Sequence, residues 1–463
     1  MAGLISLDEL PFVPLQHQIS AAKAVIDEMN GRAILADEVG LGKTIEAGLI
    51  IRELLARNQV RRVLILTPAS LAPQWCMEMK QKFNIYFYHN RKDHNWTYFK
   101  FIVASLDRAK RPEQLSEICQ AGFDLVVVDE AHRLKNNHTA NYRAVQQINA
   151  PYLLLLTATP LHNSLKELYN LVELVKPGLF IDFATFQENF MQDDASVTNL
   201  EQLQQKLTTV MIRNKKNEVD LNLPKRQVEL VPVQQTTAEA TLYQAVDEYI
   251  RTEYKRRLSD QASILGLITL QREICSSTFA AKRTLEQTGL LDLAALSASV
   301  HHNAKAEMAK QIIESATGKV VLFTEFKATQ AYLVDYLGEH GIQCLSYNGD
   351  LKQGQRIWSR YLFEQEYPVM ISTEAGGEGL NLQMANVVIN YDLPWNPMRV
   401  EQRIGRVHRI GQTHLVKIYN LYSLNTVEEF VLSVLRKKLN LFEETVGALD
   451  NVVEGQSNEL TEI

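Results

Sequence analysis

The chain has 463 residues, more than one ordinary core holds and enough for two α/β lobes with a helical insertion. A composition of 46% hydrophobic and 22% charged residues is that of a soluble globular protein, and no apolar run nears the ~18 residues of a membrane span. The net charge of −6 is concentrated at the end: from Glu428 onward eight acidic residues stand against three basic ones, so charge alone neither supports nor excludes a polyanionic partner. The N-terminus, MAGLISLDELPF, lacks the basic start of a secretory signal. Cys76, Cys119, Cys275 and Cys344 lie too far apart for a metal or disulfide pattern and read as reduced thiols of a cytoplasmic protein.

In chain order, short runs rich in β-branched residues predict strands at 33–36, 63–67, 101–104, 124–129 and 152–157. A region of different character follows over 176–300, where Leu242, Val246, Tyr249, Ile250 and Leu258 recur at helical spacing. Strand-like runs resume at 227–233, 319–324, 343–347, 369–373, 386–391 and 416–422. Continuous rather than alternating apolar character predicts parallel sheets buried on both faces. After Val427 an amphipathic helix carries Phe430, Val434, Leu435 and Leu439, and the polar residues 454–463 read as a frayed acidic tail.

Three stretches carry chemistry. After the first strand comes Asp37-Glu38-Val39-Gly40-Leu41-Gly42-Lys43-Thr44 and then a helix-like run. Strand, glycine loop and helix N-terminus make a phosphate cradle, with Lys43 reaching the phosphates and Thr44 the Mg²⁺. Asp37 stands where the usual loop pattern has its first glycine. The strand at 124–128 ends in Asp129-Glu130-Ala131-His132, where Asp129 suits Mg²⁺ and Glu130 the attacking water. In the second half, Gln402, Arg406 and Arg409 fall at i, i+4 and i+7, one face if a helix runs through them. Guanidinium groups suit the spreading charge of a transferring phosphoryl group, although a solvated basic helix face has the same pattern. Phosphate-binding groups on one lobe and arginines on the other describe an ATP-gated clamp.

With these motifs in place, the sequence resembles the Snf2 family of superfamily 2 translocases from about Leu15 to Lys438. The matching stretches are 15–18, 37–44, 66–75, 129–136, 156–163, 320–326, 372–382 and 401–412, and details such as DEVGLGKTIEAG and TPLHNS look closest to the bacterial RapA-like branch. The resemblance implies two RecA-like parallel-sheet lobes with helical insertions and a C-terminal bracing helix. It implies ATP and Mg²⁺ as cofactors, double-stranded DNA as the track, and a monomeric motor with protein partners only in a larger complex. It assigns Gln18 to adenine, Lys43 and Thr44 to phosphates and Mg²⁺, Asp129 to Mg²⁺ and Glu130 to the water. Arg406 and Arg409 become the fingers, with Gln402 orienting them or the water. Thr157 and Thr159 would couple ATP state to the track. Track contacts fall to Thr67, Ser70 and Ser105 in the first lobe and to Thr373, Gly377 and Asn381 in the second. Small and hydroxyl residues suit phosphates rather than base edges. The family's arginine pair before the linker is here Arg213-Asn214.

The implied layout is lobe 1 over 1–213 with a helical protrusion at 162–207, a linker over 214–226, lobe 2 over 227–427 with a helical insert at 235–300, and a brace and tail over 428–463. Trp75 and Trp358 read as packing residues, while Trp395, between prolines, stays open between surface and core. The run Arg251–Arg257 is equally an extra phosphate patch or a solvated helix face. Two rival readings remain: a strand-separating helicase, and an ATPase subunit that switches a partner.

Overall fold

The computed structural model describes residues 4–91, 96–158, 160, 164–193, 196–216, 218–219, 224–259, 263–373 and 380–446. Contacts divide the chain into two compact units. The first holds residues 1–222 and 438–449, the second 223–437 and 450–463. The tail expected to fray, and Thr159 and Gly377 among the expected site residues, lie outside the described residues.

In the first unit the elements run α1 (Gln16–Asp27), β1 (Arg32–Leu35), α2 (Lys43–Ala56), β2 (Val63–Thr67), α3 (Ala72–Phe83), β3 (Tyr88–His89) and β4 (Phe101–Ser105). Then come α4 (Leu106–Ala109), α5 (Pro112–Ala121), β5 (Leu125–Asp129), α6 (Ala140–Ile148) and β6 (Tyr152–Leu156). Among the described residues one sheet runs β3-β4-β2-β5-β6-β1 and ends on β9 (Met211–Ile212), and every pairing is parallel. Ile34, Leu64, Ile65, Val126, Val127, Leu154 and Leu155 are buried on both faces of it, which is why their strands read as unbroken apolar runs. Gly48 of α2 lets α3 close in: a Cβ there would stand 2.2 Å from the Phe83 ring. The parallel order puts the carboxyl ends of β1, β2, β4 and β5 on one edge, where an open α/β sheet binds its ligand.

Residues 162–207 were expected to be a helical protrusion. They hold α7 (Leu165–Val175), α8 (Phe183–Phe190) and α9 (Leu200–Thr208), but also an antiparallel hairpin of β7 (Met191–Asp193) and β8 (Ser196–Val197). The hairpin was missed because its strands are two and three residues long, too short for a period of two to register. Arg32 ties the protrusion to the sheet, its guanidinium donating to the carbonyls of Leu174 and Val175 at the end of α7.

In the second unit β10 (Arg226–Val233) leads into α10 (Thr237–Ser259), α11 (Leu265–Ser276), α12 (Thr278–Gln287) and α13 (Leu291–Ala298). The rest alternates: α14 (Ala304–Ser315), β11 (Lys319–Thr324), α15 (Lys327–Glu339), β12 (Cys344–Tyr347), α16 (Gln353–Gln365), β13 (Val369–Thr373), β14 (Ala385–Asn390), α17 (Pro397–Val407) and β15 (Val416–Ser423). The described strands form a sheet in the order β10-β15-β14-β11-β13-β12, again parallel throughout. A last helix, α18, spans Val427–Val446. The fold class is the expected one, two parallel-sheet lobes with helical insertions. No helix among the described residues is long and apolar enough to cross a membrane.

Candidate nucleotide site and track elements

The loop between β1 and α2 bends through two glycines at positive φ, Gly40 at 97° and Gly42 at 94°. A side chain at Gly42 would be strained and would also meet Gln18 Nε2 at 2.6 Å. Gln18 Nε2 donates to Leu41 O at 2.9 Å and His17 Nε2 lies 3.1 Å from the same oxygen, so α1 is fastened to the loop. Gln18 Oε1 accepts from Leu15 N. Lys43 opens α2, and its Nζ donates to the carbonyls of Asp37 at 2.6 Å and Glu38 at 3.3 Å. Burial lowers its pKa, against the opposing pull of Asp37, Glu46, Glu130 and Asp129. Thr44 follows it, half-buried, in the first turn of α2, where N–H groups have no intrahelical acceptor.

Asp37, at the usual first-glycine position, is fully buried. Its Oδ1 accepts from Asn214 N and Nδ2 at 2.8 and 3.1 Å, and its Oδ2 from Nδ2 at 3.0 Å. Asp37, the departure from the usual glycine-loop pattern, and Asn214, the departure from the family's arginine pair, are therefore each other's partner. Glu38 works alongside: its Oε2 accepts from Lys216 N at 3.0 Å, and Arg213 stands 3.9 Å from its Oε1. Arg213 also lies over the Phe442 ring at 4.7 Å. Glu46 is completely buried, its carboxyl pushed well above the ordinary range by burial and then by the charge of Asp37. His17, Asp37 and Glu46 come within 4.8 Å of one another, but Asn214 and Leu41 already take up the first two.

Asp129 ends β5 with both oxygens engaged. Oδ1 accepts from Glu130 N at 2.9 Å, and Oδ2 accepts from Trp75 Nε1 at 2.8 Å and Thr67 Oγ1 at 3.2 Å. Burial, then the charge of Glu130, raises its carboxyl to about 6 against the pull of these donors. Two adjacent half-buried acids, one with its pKa raised by desolvation, fit a divalent cation taken through oxygen ligands, which Asp129 and Thr44 would supply. Glu130 sits at a φ of 51°, rare for a non-glycine residue, and its Oε2 lies 3.2 Å from His132 Nδ1. Thr157 is buried, its N–H bonded to Leu35 O at 3.0 Å.

The track candidates behave differently from one another. Ser70 is exposed. Thr67 is fully buried with its hydroxyl turned to Asp129, so its side chain does not face outward as expected. Ser105 caps α4, accepting from Arg108 N at 3.3 Å. In the second unit Thr373 is buried and Asn381 is half-buried, its Oδ1 accepting from Gln383 N at 3.3 Å.

Gln402 and Arg406 lie on α17, half-buried, but the helix stops at Val407, so Arg409 is not on its face. The reason is capping. Leu382 N donates to Arg406 O at 2.9 Å, Gln412 Nε2 to Val407 O at 3.3 Å, and Gly411 turns the chain at a φ of 99°. Sequence reasoning passed over Arg403, which is buried and donates to Asp392 O at 2.7 Å and Asn390 Oδ1 at 3.3 Å. It also passed over the buried Lys305, whose Nζ lies 2.9 Å from Glu428 Oε1 and 3.5 Å from Asp392 Oδ1. Trp75 is buried as expected. Trp358, expected to pack, is 59% exposed and stacks on Tyr361, because α16 turns that face to solvent. Trp395 is half-buried against Phe430. In the 251–257 run, Arg251 pairs with Asp247, and Arg256 and Arg257 with Glu253, all within α10, which favours the helix-face reading.

The fold and this site define a helicase-type ATPase. The chain belongs to the SNF2-related family: residues 17–280 match the SNF2-related domain and residues 304–411 the helicase conserved C-terminal domain. It is 44% identical over 456 residues to an uncharacterized ATP-dependent helicase, YqhH, of Bacillus subtilis, covering 96% of this chain and 81% of that one. It is 29% identical to protein CHROMATIN REMODELING 4 of Arabidopsis thaliana and 26% identical to the ATP-dependent helicase brm of Drosophila melanogaster, spanning only 20% and 29% of those proteins. A solved SWI2/SNF2 ATPase core of Sulfolobus solfataricus, in complex with dsDNA, is similar at a TM-score of 0.47 and 22% identity, covering 96% of this chain and 94% of that one.

Proposed function

We propose that this chain is a Snf2-type translocase that couples Mg-ATP hydrolysis to movement along double-stranded DNA and so displaces or remodels proteins bound there. Lys43 and Thr44 bind the phosphates and metal, Asp129 holds the metal, Glu130 activates the water, Gln18 borders the base, and Arg406 and Arg409, oriented by Gln402, stabilise the transferring phosphoryl group. On this reading lobe 1 ends near residue 213, lobe 2 runs over 227–427, and the chain belongs to the RapA-like bacterial branch that residues 37–48 and 159–164 suggest.

The observation that supports the track assignment best is the loop from Pro68 to Leu71. It exposes Ala69 and Ser70, which offer backbone and hydroxyl groups to phosphates and no side chain long enough to read a base edge. The test compares ATP turnover with duplex DNA, single-stranded DNA and RNA at matched nucleotide concentration. Strongest stimulation by duplex supports the reading, and stronger stimulation by RNA or single strands replaces it with a strand-separating helicase.

A further inference from the structure

The loop that exposes Ala69 and Ser70 is flanked by two residues, Thr67 before it and Trp75 in the helix after it, that donate to one oxygen atom. Thr67, the last residue of β2, donates its hydroxyl to Asp129 Oδ2 at 3.2 Å. Trp75, in the first turns of α3, donates its indole N–H to the same Oδ2 at 2.8 Å. Its own backbone N–H bonds to Leu71 O at 3.0 Å, at the loop's far end. Trp75 is 2% exposed and Thr67 fully buried, so neither donor has water as an alternative partner. An indole nitrogen donates and never accepts, and a bond to a carboxylate is of the strong, charge-assisted kind. With Glu130 N on Oδ1, three donors from β2, α3 and the turn after β5 fix how the Asp129 carboxylate is rotated.

We infer that Trp75 is a positioning residue that links the exposed 68–71 loop to the Asp129 carboxylate, so that duplex DNA seated on that loop reorients the metal ligand and raises ATP turnover. The inference rests on the proposed duplex track. Outer partners of a metal-holding carboxylate set its direction, and a shift of the loop moves α3 and its indole as one rigid piece. Packing alone does not account for the contact, since a buried aromatic ring at this place fills the same space without an N–H aimed at a carboxylate.

Two readouts on the full chain test it. Trp75→Phe keeps the ring and removes the donor. The ratio of duplex-saturated to DNA-free turnover is expected to fall about 10-fold or more in it, while the KM for ATP changes by no more than about 2-fold. If Trp75→Phe does not fold, benzothienylalanine at position 75 keeps the indole's shape with sulfur in place of N–H. The second readout needs no turnover: in ¹⁵N-tryptophan-labelled protein the indole resonance of Trp75, identified by its loss in the variant, is expected to shift when duplex DNA is added without nucleotide. An unchanged stimulation ratio, equal loss of basal and stimulated turnover, or an indole resonance indifferent to saturating duplex would each overturn the link. A wild-type enzyme with no duplex stimulation at all would instead remove the duplex reading, and the link with it.

Discussion

On the proposed mechanism, Lys43 and Glu130 share a lobe but bear on different stages of hydrolysis. An ammonium beside the phosphates acts on charge already present in the ground state, whereas a carboxylate on the attacking water matters only as the new bond forms. Lys43→Ala is therefore expected to lose ATP binding in an equilibrium titration, while Glu130→Gln binds ATP and turns over ~10²–10⁴-fold more slowly. Near-normal turnover in Glu130→Gln would move the base to another residue. The places of these two residues were legible in the sequence because each comes after an apolar strand whose carboxyl end must lie at the ligand edge of the sheet. The Asp37–Asn214 pair was not legible, since its members are 177 residues apart and each looked like a departure from a pattern. Asn214→Ala removes both bonds from the Asn214 side chain to a buried carboxylate, an expected loss of about 1–3 kcal/mol in urea unfolding. In an Asp37→Asn background the same substitution is expected to cost distinctly less. Strictly additive losses would show that the two side chains do not interact.

At the scale of elements, the long strands were readable and the short ones were not. Val63–Thr67, Lys319–Thr324 and Val369–Thr373 coincide with their predicted runs because burial on both faces confines polar residues to the strand ends. β9 and the hairpin of β7 and β8 are too short to show a period, and they form because neighbouring strands offer them partners. The end of α17 was misread for a related reason. Periodicity carried the helix on through Arg409, but the caps from Leu382 and Gln412 come from elsewhere in the chain. Arg406 and Arg409 thus sit on different local structures, a helix and the turn after it, and a basic helix face does not require both. If both stabilise charge that spreads in the transition state, Arg406→Ala and Arg409→Ala each lower kcat by ~10³-fold or more with the Kd for ATP little changed. Full activity in both variants would return them to the surface-charge reading.

At the scale of the whole molecule, the question is whether turnover moves the protein along an intact duplex or splits it. Splitting base pairs costs about 1–2 kcal/mol per step and needs a rigid element driven between the strands. A paired hairpin is one form a wedge takes, yet residues 191–197, which include the antiparallel pair β7 and β8, contain no aromatic to stack on a parted base. On the proposed track, the exposed part of the 68–71 loop offers only backbone and a hydroxyl, groups suited to phosphates and not to prying at bases. The protein is accordingly expected to displace a third strand from a triplex in an ATP-dependent reaction and to leave a forked duplex paired. Binding through phosphates alone releases counterions, so log affinity should fall linearly with log salt at about 0.9 per phosphate contacted, equally for unrelated duplex sequences. Gel assays of the two substrates, run beside a salt titration, read both expectations at once. Efficient fork unwinding would assign the hairpin a wedge's role despite its composition, and a salt slope that changed with duplex sequence would mean that bases are being read.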